Sequence, residues 1–476
     1  MIDLLVTGGQ VITMDAERRI LADGAVAISG GRFLAVGETG PMVREFPAAR
    51  RRLDARGKVV LPGLIDAHTH AGHALTKTVG SGNNAAWSAA VAQIYGHGSS
   101  ADFWRASAAL SALERLRFGV TTAVVLLGGG DSIMRGDDAS FAAAHLEAVR
   151  EIGVREILVL GHPRPPFPVA LSSWSQGVAR RSEFPFEAFL ETCEAVIEAA
   201  HRPEEGRFRI ALLSPVHHAQ ADPSQAPALF AATRRMRDLS RRRGVMWHQD
   251  GHRKGSIERL QAETGALGPD AWLSHCIDPT SDEVALLRQT DTAVVHNPAA
   301  NLSMFGRCPV PELIDAGIRV MLGSDGPGPD RSTDPFRNMW LCMHYHRTAL
   351  RDQQVLPPGK ALELCTIEAA RGLNLADELG SIEAGKRADL VTVDLCKPHL
   401  MPAQMPLHRA VCHASGGDVT DVVVDGVLRV ESGEILGLDW RRMLSDAAHE
   451  AELAIARSGT AAAFETPTDI WRTRRG

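Results

Sequence analysis

The chain has no CxxC pair, and its seven cysteines are scattered and odd in number. That excludes a Cys-based zinc ribbon or a dithiol redox motif and leaves the thiols as reduced core residues. No stretch reaches the roughly 18–20 apolar residues that span a bilayer, so no membrane partner is expected. The formal charge of −6 supplies neither a basic field for nucleic acid nor an acidic tail. A small-molecule substrate is the expected partner. The opening MIDLLVTGGQVITM lacks the basic start and long apolar centre of a secretory signal, and the cytoplasm is the expected compartment.

What is present is an ordinary globular composition, 45% hydrophobic and 23% charged over 476 residues, enough for one large domain and a smaller one. The N-terminus reads as short strands (LLVTGGQVITM, GAVAISGGRFLAVGE, KVVLPG) punctuated by Gly-rich turns. The same texture returns in ADLVTVDL and DVVVDGVLRVESGE. Residues 1–57 and 390–476 are therefore expected to form one small β-sandwich-like domain, helical in its last part. Between them, apolar runs such as TTAVVLLGG, REILVLGH, RIALLSP, GVMWH, AWLSHC, TAVVHN and IRVMLGSD alternate with amphipathic stretches such as SFAAAHLEAVREIG. Alternation of this kind calls for parallel pairing, and this many units predicts a closed (β/α)₈ barrel over 58–389. Chemistry in such barrels sits at the C-terminal ends of the strands.

Those ends are rich in ligands. His68 and His70 share a face of an extended strand, a spacing that suits two imidazoles on one metal ion. His248 ends GVMW, His275 ends AWLS and Asp325 follows IRVMLGS. His68, His70, His248 and Asp325 together make three imidazoles and a carboxylate, a set for one borderline divalent ion with a position left for water. Zinc is the expected ion, with iron, cobalt and manganese as alternatives.

VVLPGLIDAHTH, FGVTT (Phe118 to Thr122), LSHC (Leu273 to Cys276), VHNPAANL (Val295 to Leu302) and GSDG (Gly323 to Gly326) occur in this order. With ELGSIEAGKRADLVTVDL near the end, the chain resembles the amidohydrolase superfamily over nearly its whole length. The branch it is most similar to holds cytosine deaminase, methylthioadenosine deaminase and the triazine hydrolases. The resemblance implies that His68, His70, His248 and Asp325 bind one metal ion. It also implies that Asp325 takes a proton from the bound water and that His275 polarises the group under attack. Members with two metals commonly bridge them with a carboxylated lysine, and no lysine lies between Lys77 and Lys254, so a mononuclear site is expected. Dimers or larger homo-oligomers are usual in this family.

One departure matters. In the deaminases of this branch a glutamate three residues after the strand-five histidine protonates the ring and helps the amine leave. Here that position is Gly251. Asp250 and His252 are the candidate replacements, the alternative being that both are loop residues facing water. His217 and His218, His296 and Trp87 are further candidates: His217, His296 and Trp87 for contact with substrate, His296 alternatively for capping the Asn-Pro turn. His73, Asn83, Asn84 and Trp87 lie in a Gly-rich segment that reads as a lid or a surface loop. His344 and His346 are two apart in a helical region, so they point apart and are discounted as a ligand pair. The expected activity is metal-dependent hydrolysis of a C–N bond in a small nitrogen-containing molecule. The rivals are cleavage of a C–Cl, C–S, carbamate or ester-like bond at the same site, and a catalytically silent metal-binding protein.

Overall fold

The computed structural model describes residues 1–130, 133–218, 222–304, 306–468 and 470–471, with only the backbone of Ser81. Eight parallel strands follow one another around a barrel: Leu64–His70, Val120–Leu126, Arg155–Gly161, Phe208–Leu213, Trp247–Gln249, Ala271–Ser274, Ala293–His296 and Val320–Leu322. The eighth returns to the first. There the Asp325 N–H donates to the His68 carbonyl at 2.9 Å, and the Ser324 N–H and hydroxyl donate to the Asp66 carboxylate at 2.8 and 2.6 Å.

The apolar runs are continuous because both faces of each strand are buried. Along Arg155–Gly161, Leu158 and Leu160 pack with helix residues such as Phe141 and Cys193, whereas Ile157 and Val159 join Val124, Ala211 and Val295 in a separate cluster inside the ring. The expected helices are present as Ala139–Ile152, Phe186–Ala200 and Ala226–Arg243. Ala139–Ile152 and Ala226–Arg243 end on a glycine in the left-handed region, Gly153 and Gly244, where no Cβ opposes the turn.

In the first strand the three steps from Asp66 to Thr69 span what two steps span on its neighbour, Ala123 to Val125. This bulge resets the alternation. Ile65 and Ala67 face the interior cluster, and beyond the bulge His68 and His70 converge on the site instead of following the opposite parity outward.

A second sheet of nine strands draws on both ends of the chain. Ile2–Ile12, Ile20–Ser29, Arg32–Glu38, Ala49–Asp54 and Lys58–Pro62 come from the N-terminal side, and Leu390–Asp394, Val419–Val424, Val427–Glu431 and Glu434–Ile435 from the C-terminal side. The two halves join where Lys58–Pro62 pairs antiparallel with Leu390–Asp394. The long final helix, Trp440–Ser458, packs on Ala101–Arg117. Among the described residues no helix is long and apolar enough to cross a membrane.

Arg155, at the start of the third barrel strand, ties barrel to sheet. Its buried guanidinium pairs with Asp389 at 2.5 Å and with Asp425, and its Nε donates to the Gly206 carbonyl at 2.6 Å. Removing one partner of a buried charge group leaves the rest uncompensated and costs about 3–5 kcal/mol. Arg155→Met is expected to lower unfolding stability by that order, read as a lower urea midpoint with the slope unchanged. A change under about 1 kcal/mol would show that water reaches the pair.

Candidate active site

Local hydrogen bonds decide which nitrogen each histidine turns toward the barrel mouth. A carbonyl can only accept, so the ring nitrogen facing it must carry the proton, leaving the other lone pair free. His70 Nδ1 donates to the Gly128 carbonyl at 2.9 Å and His248 Nδ1 to the Trp272 carbonyl at 2.9 Å. In both rings Nε2 is thereby presented to the site. His248 is further fixed by stacking on Trp272, centroids 4.6 Å apart. His275 is set by Asn301: the amide nitrogen donates to the His275 carbonyl at 3.0 Å, which turns Oδ1 to accept from His275 Nδ1 at 2.9 Å.

The free nitrogens and two carboxylates meet in one place. His70 Nε2 lies 2.9 Å from Asp325 Oδ1, and His248 Nε2 lies 3.2 Å from His68 Nδ1. Asp250 Oδ1 is 3.3 Å from His68 Nε2 and 3.2 Å from His275 Nε2, and its Oδ2 is 3.5 Å from His70 Nε2. The ligand atoms of His68, His70 and Asp325 lie within 4.8 Å of one another, as do those of His68, Asp250 and His275. All are buried. Among the described residues His68 Nε2 has no hydrogen-bond partner, an orphan that a metal ion would satisfy. Three imidazoles with a carboxylate are a donor set that fits a borderline divalent ion.

Electrostatics follow from that crowding. Burial alone would raise the Asp325 carboxyl, but the Arg331 guanidinium and His70 hold it well below the usual carboxylate range. Asp250 is likewise held low against burial by His68 and His275. His275 is raised, burial being outweighed by the hydrogen bond and charge of Asp250. Asp325 and His275 both adopt positive φ, 59° and 66°, a conformation that side chains other than glycine seldom take and that the surrounding contacts must hold in place.

A cavity of about 430 Å³ opens over these groups, lined also by His73, Trp87, Val91, Met304, Arg253 and Arg331. Trp87 and His73 meet edge to face at 4.9 Å, and His73 stacks on His70 at 4.3 Å while its Nδ1 bonds the Tyr95 hydroxyl at 2.8 Å. The Gly-rich segment after strand one thus supplies a wall of the cavity, and His73 is buried in it.

The candidates from sequence separate here. Asp250 and Trp87 line the cavity, as does His218. His217 instead stacks on Phe230 at 5.3 Å and is absent from the lining. His252 turns away from the cavity, Nδ1 against the Ser256 hydroxyl at 2.9 Å, and burial pushes its pKa down to about 3. His296 is buried beside His346, ring centroids 5.3 Å apart. Arg331 was not singled out by sequence. It arrives on the PGPDRSTDPF loop after strand eight and donates to Asp325 Oδ2 at 2.9 Å.

Gly251 has φ 100°, where a glutamate would be strained, so the backbone itself disfavours the acid at that position. Gly130, at φ 67°, is a second constrained glycine: a Cβ there would collide with Asp250 Oδ2. Gly130→Ala is expected to displace Asp250 and lower kcat by up to about 10²-fold, the effect of an ångström-scale misplacement. Unchanged kcat with unchanged stability would place Asp250 outside the reaction.

The profile of the amidohydrolase family matches residues 59–429. A 5-methylthioadenosine/S-adenosylhomocysteine deaminase of Syntrophobacter fumaroxidans is 31% identical over 458 residues, 92% of this chain and 95% of that protein. A 5'-deoxyadenosine deaminase of Methanosarcina mazei is 26% identical, covering 96% of this chain and 99% of its own length. Among solved structures, a zinc-bound adenosine deaminase from Xanthomonas campestris superposes with TM-score 0.80 at 22% identity, covering 96% of this chain and 99% of that one. A triazine hydrolase from Arthrobacter aurescens gives TM-score 0.81 at 24% identity, over 94% and 99%; both likenesses concern the fold. The chain belongs to the amidohydrolase family and is a metal-dependent hydrolase acting on carbon–nitrogen bonds.

Proposed function

We propose that this protein hydrolytically removes an amino group from the ring of a small nitrogen heterocycle. The observation that carries the reading is the Asp250 carboxylate, which lines the cavity between His68 and His275. It replaces the acid lost at Gly251. The names of the relatives, deaminases of adenine nucleosides, agree in the kind of amine.

His68, His70, His248 and Asp325 would hold one divalent ion, and zinc suits their donor set. Such an ion lowers the pKa of a coordinated water toward about 7 and so makes a nucleophile available at neutral pH. Trp87 and His73 offer ring faces on which a planar heterocycle stacks. His275, with Nδ1 committed to Asn301, keeps Nε2 for the oxygen that becomes the product carbonyl. Water gives up two protons. One passes through Asp250 to the ring nitrogen beside the attacked carbon, and the other passes through Asp325 to the amine. A C–O bond forms, the C–N bond breaks and ammonia leaves.

The test is ammonia release by zinc-loaded protein from aminopurines, aminopyrimidines and aminotriazines, with metal content measured on the same sample. Ammonia from at least one ring amine, lost on chelation and restored by zinc, is the expected result. Chloride or methanethiol from substituted rings without ammonia would replace deamination by C–Cl or C–S hydrolysis. Bound zinc with no turnover across the panel would leave a silent metal-binding protein.

A further inference from the structure

Beneath the His275 support lies a second cluster of metal-type donors that the reaction does not use. His296 ends the seventh barrel strand, and Cys342 and His346 stand four residues apart on the helix Pro335–Leu350. Residues so spaced share one helix face. Their ligand atoms, one from each residue, lie within 4.8 Å of one another and all three residues are buried. Among the described residues, both ring nitrogens of His296 and both of His346 lack a hydrogen-bond partner. Buried imidazoles are normally hydrogen-bonded, so two adjacent rings with none call for a partner of another kind. His344, the other histidine of the HYH stretch, points elsewhere and lies against Trp340.

We propose that His296, Cys342 and His346 form a second, structural metal site for a borderline divalent ion of the zinc type. One thiolate with two imidazoles is a soft, nitrogen- and sulfur-rich set that favours zinc or cobalt over magnesium or calcium. Burial keeps both imidazoles neutral, as ligands must be, with His346 pushed down to about 4. Burial also pushes the Cys342 thiol up to about 12, but a coordinating ion removes that proton. The neighbouring charge of Arg307 is offset by its pair with Glu312, at 2.7 and 2.8 Å.

The ion would clamp the end of strand seven to the helix that follows strand eight. Asn297 and Asn301, which hold His275, begin one residue after His296, so the clamp would also fix the segment that supports the active site.

Cobalt(II) separates the two sites, because the catalytic set has only nitrogen and oxygen donors. A near-ultraviolet thiolate-to-cobalt charge-transfer band can come only from a sulfur ligand. The holoprotein loaded with cobalt is expected to bind two ions per chain and show this band. Cys342→Ser and His346→Gln should each bind one ion fewer, Cys342→Ser without the band, whereas His68→Ala with His70→Ala should lose the catalytic ion and keep the band. Cobalt bound without a band, or a band and metal content unchanged in Cys342→Ser, would overturn the proposal whatever the catalytic site does.

Discussion

Asp250→Asn is expected to lower kcat for ammonia release by about 10²–10⁴-fold, the usual worth of a positioned proton donor, while zinc content stays at the wild-type level. His252→Ala, made beside it, should leave kcat within about twofold of wild type, because that ring faces Ser256 and not the cavity. The asparagine keeps the size of the aspartate and its hydrogen bond from Ser274, so a loss would report the proton and not the packing. The opposite pattern, with His252→Ala inactive and Asp250→Asn intact, would route the proton through a ring that must first swing out of its pocket. A glutamate restored at Gly251 is not expected to rescue Asp250→Asn, since φ 100° there disfavours any side chain.

The gathering of the candidate site residues was legible in the sequence for a physical reason. In a barrel every strand delivers its C-terminal residue to the same mouth, so His68, His70, His248, His275 and Asp325 could be gathered by reading run endings alone. The choice between Asp250 and His252 was not legible, because it turns on where the strand stops. The strand Trp247–Gln249 ends one residue before Asp250, and the Gly251 bend then sends His252 behind the wall. The same limit applies to His217 and His218, adjacent residues of which only the second reaches the cavity. Arg331 and the partners of His296 lay beyond pattern reading altogether. Arg331 sits six residues past Asp325 on an irregular loop with no period to place it, and Cys342 and His346 meet His296 only through the packing of a helix on a strand end. His344 and His346 do point apart on their helix, yet a search at two-residue spacing passes over the four-residue pair that includes Cys342.

Asp325→Asn is expected to reduce deamination by about 10⁴-fold or more, because on the proposed reading two losses combine: proton transfer, worth about 10²–10⁴, and the charge of a metal ligand. Arg331→Met separates them. Arg331 would act on a metal held there through Asp325, and two effects compete when it is removed. Its positive charge opposes a cation nearby, which favours tighter binding without it. Its hydrogen bond at 2.9 Å, with the Gly326 N–H on the other oxygen at 2.8 Å, holds a carboxylate whose backbone sits at φ 59° in the one orientation that faces the cluster. Partners that orient a ligand typically contribute about 10–10²-fold in metal affinity, whereas a cation beside a site open to water is partly screened. Orientation should therefore win: Arg331→Met is expected to bind zinc about 10–10²-fold more weakly and to recover most of its kcat at saturating zinc, which Asp325→Asn should not do. Competitive chelator titration gives the affinities, and ammonia release across a zinc series gives the recovery. Tighter zinc binding in Arg331→Met would show that charge repulsion outweighs orientation, and would recast Arg331 as a group kept for the substrate and not for the metal.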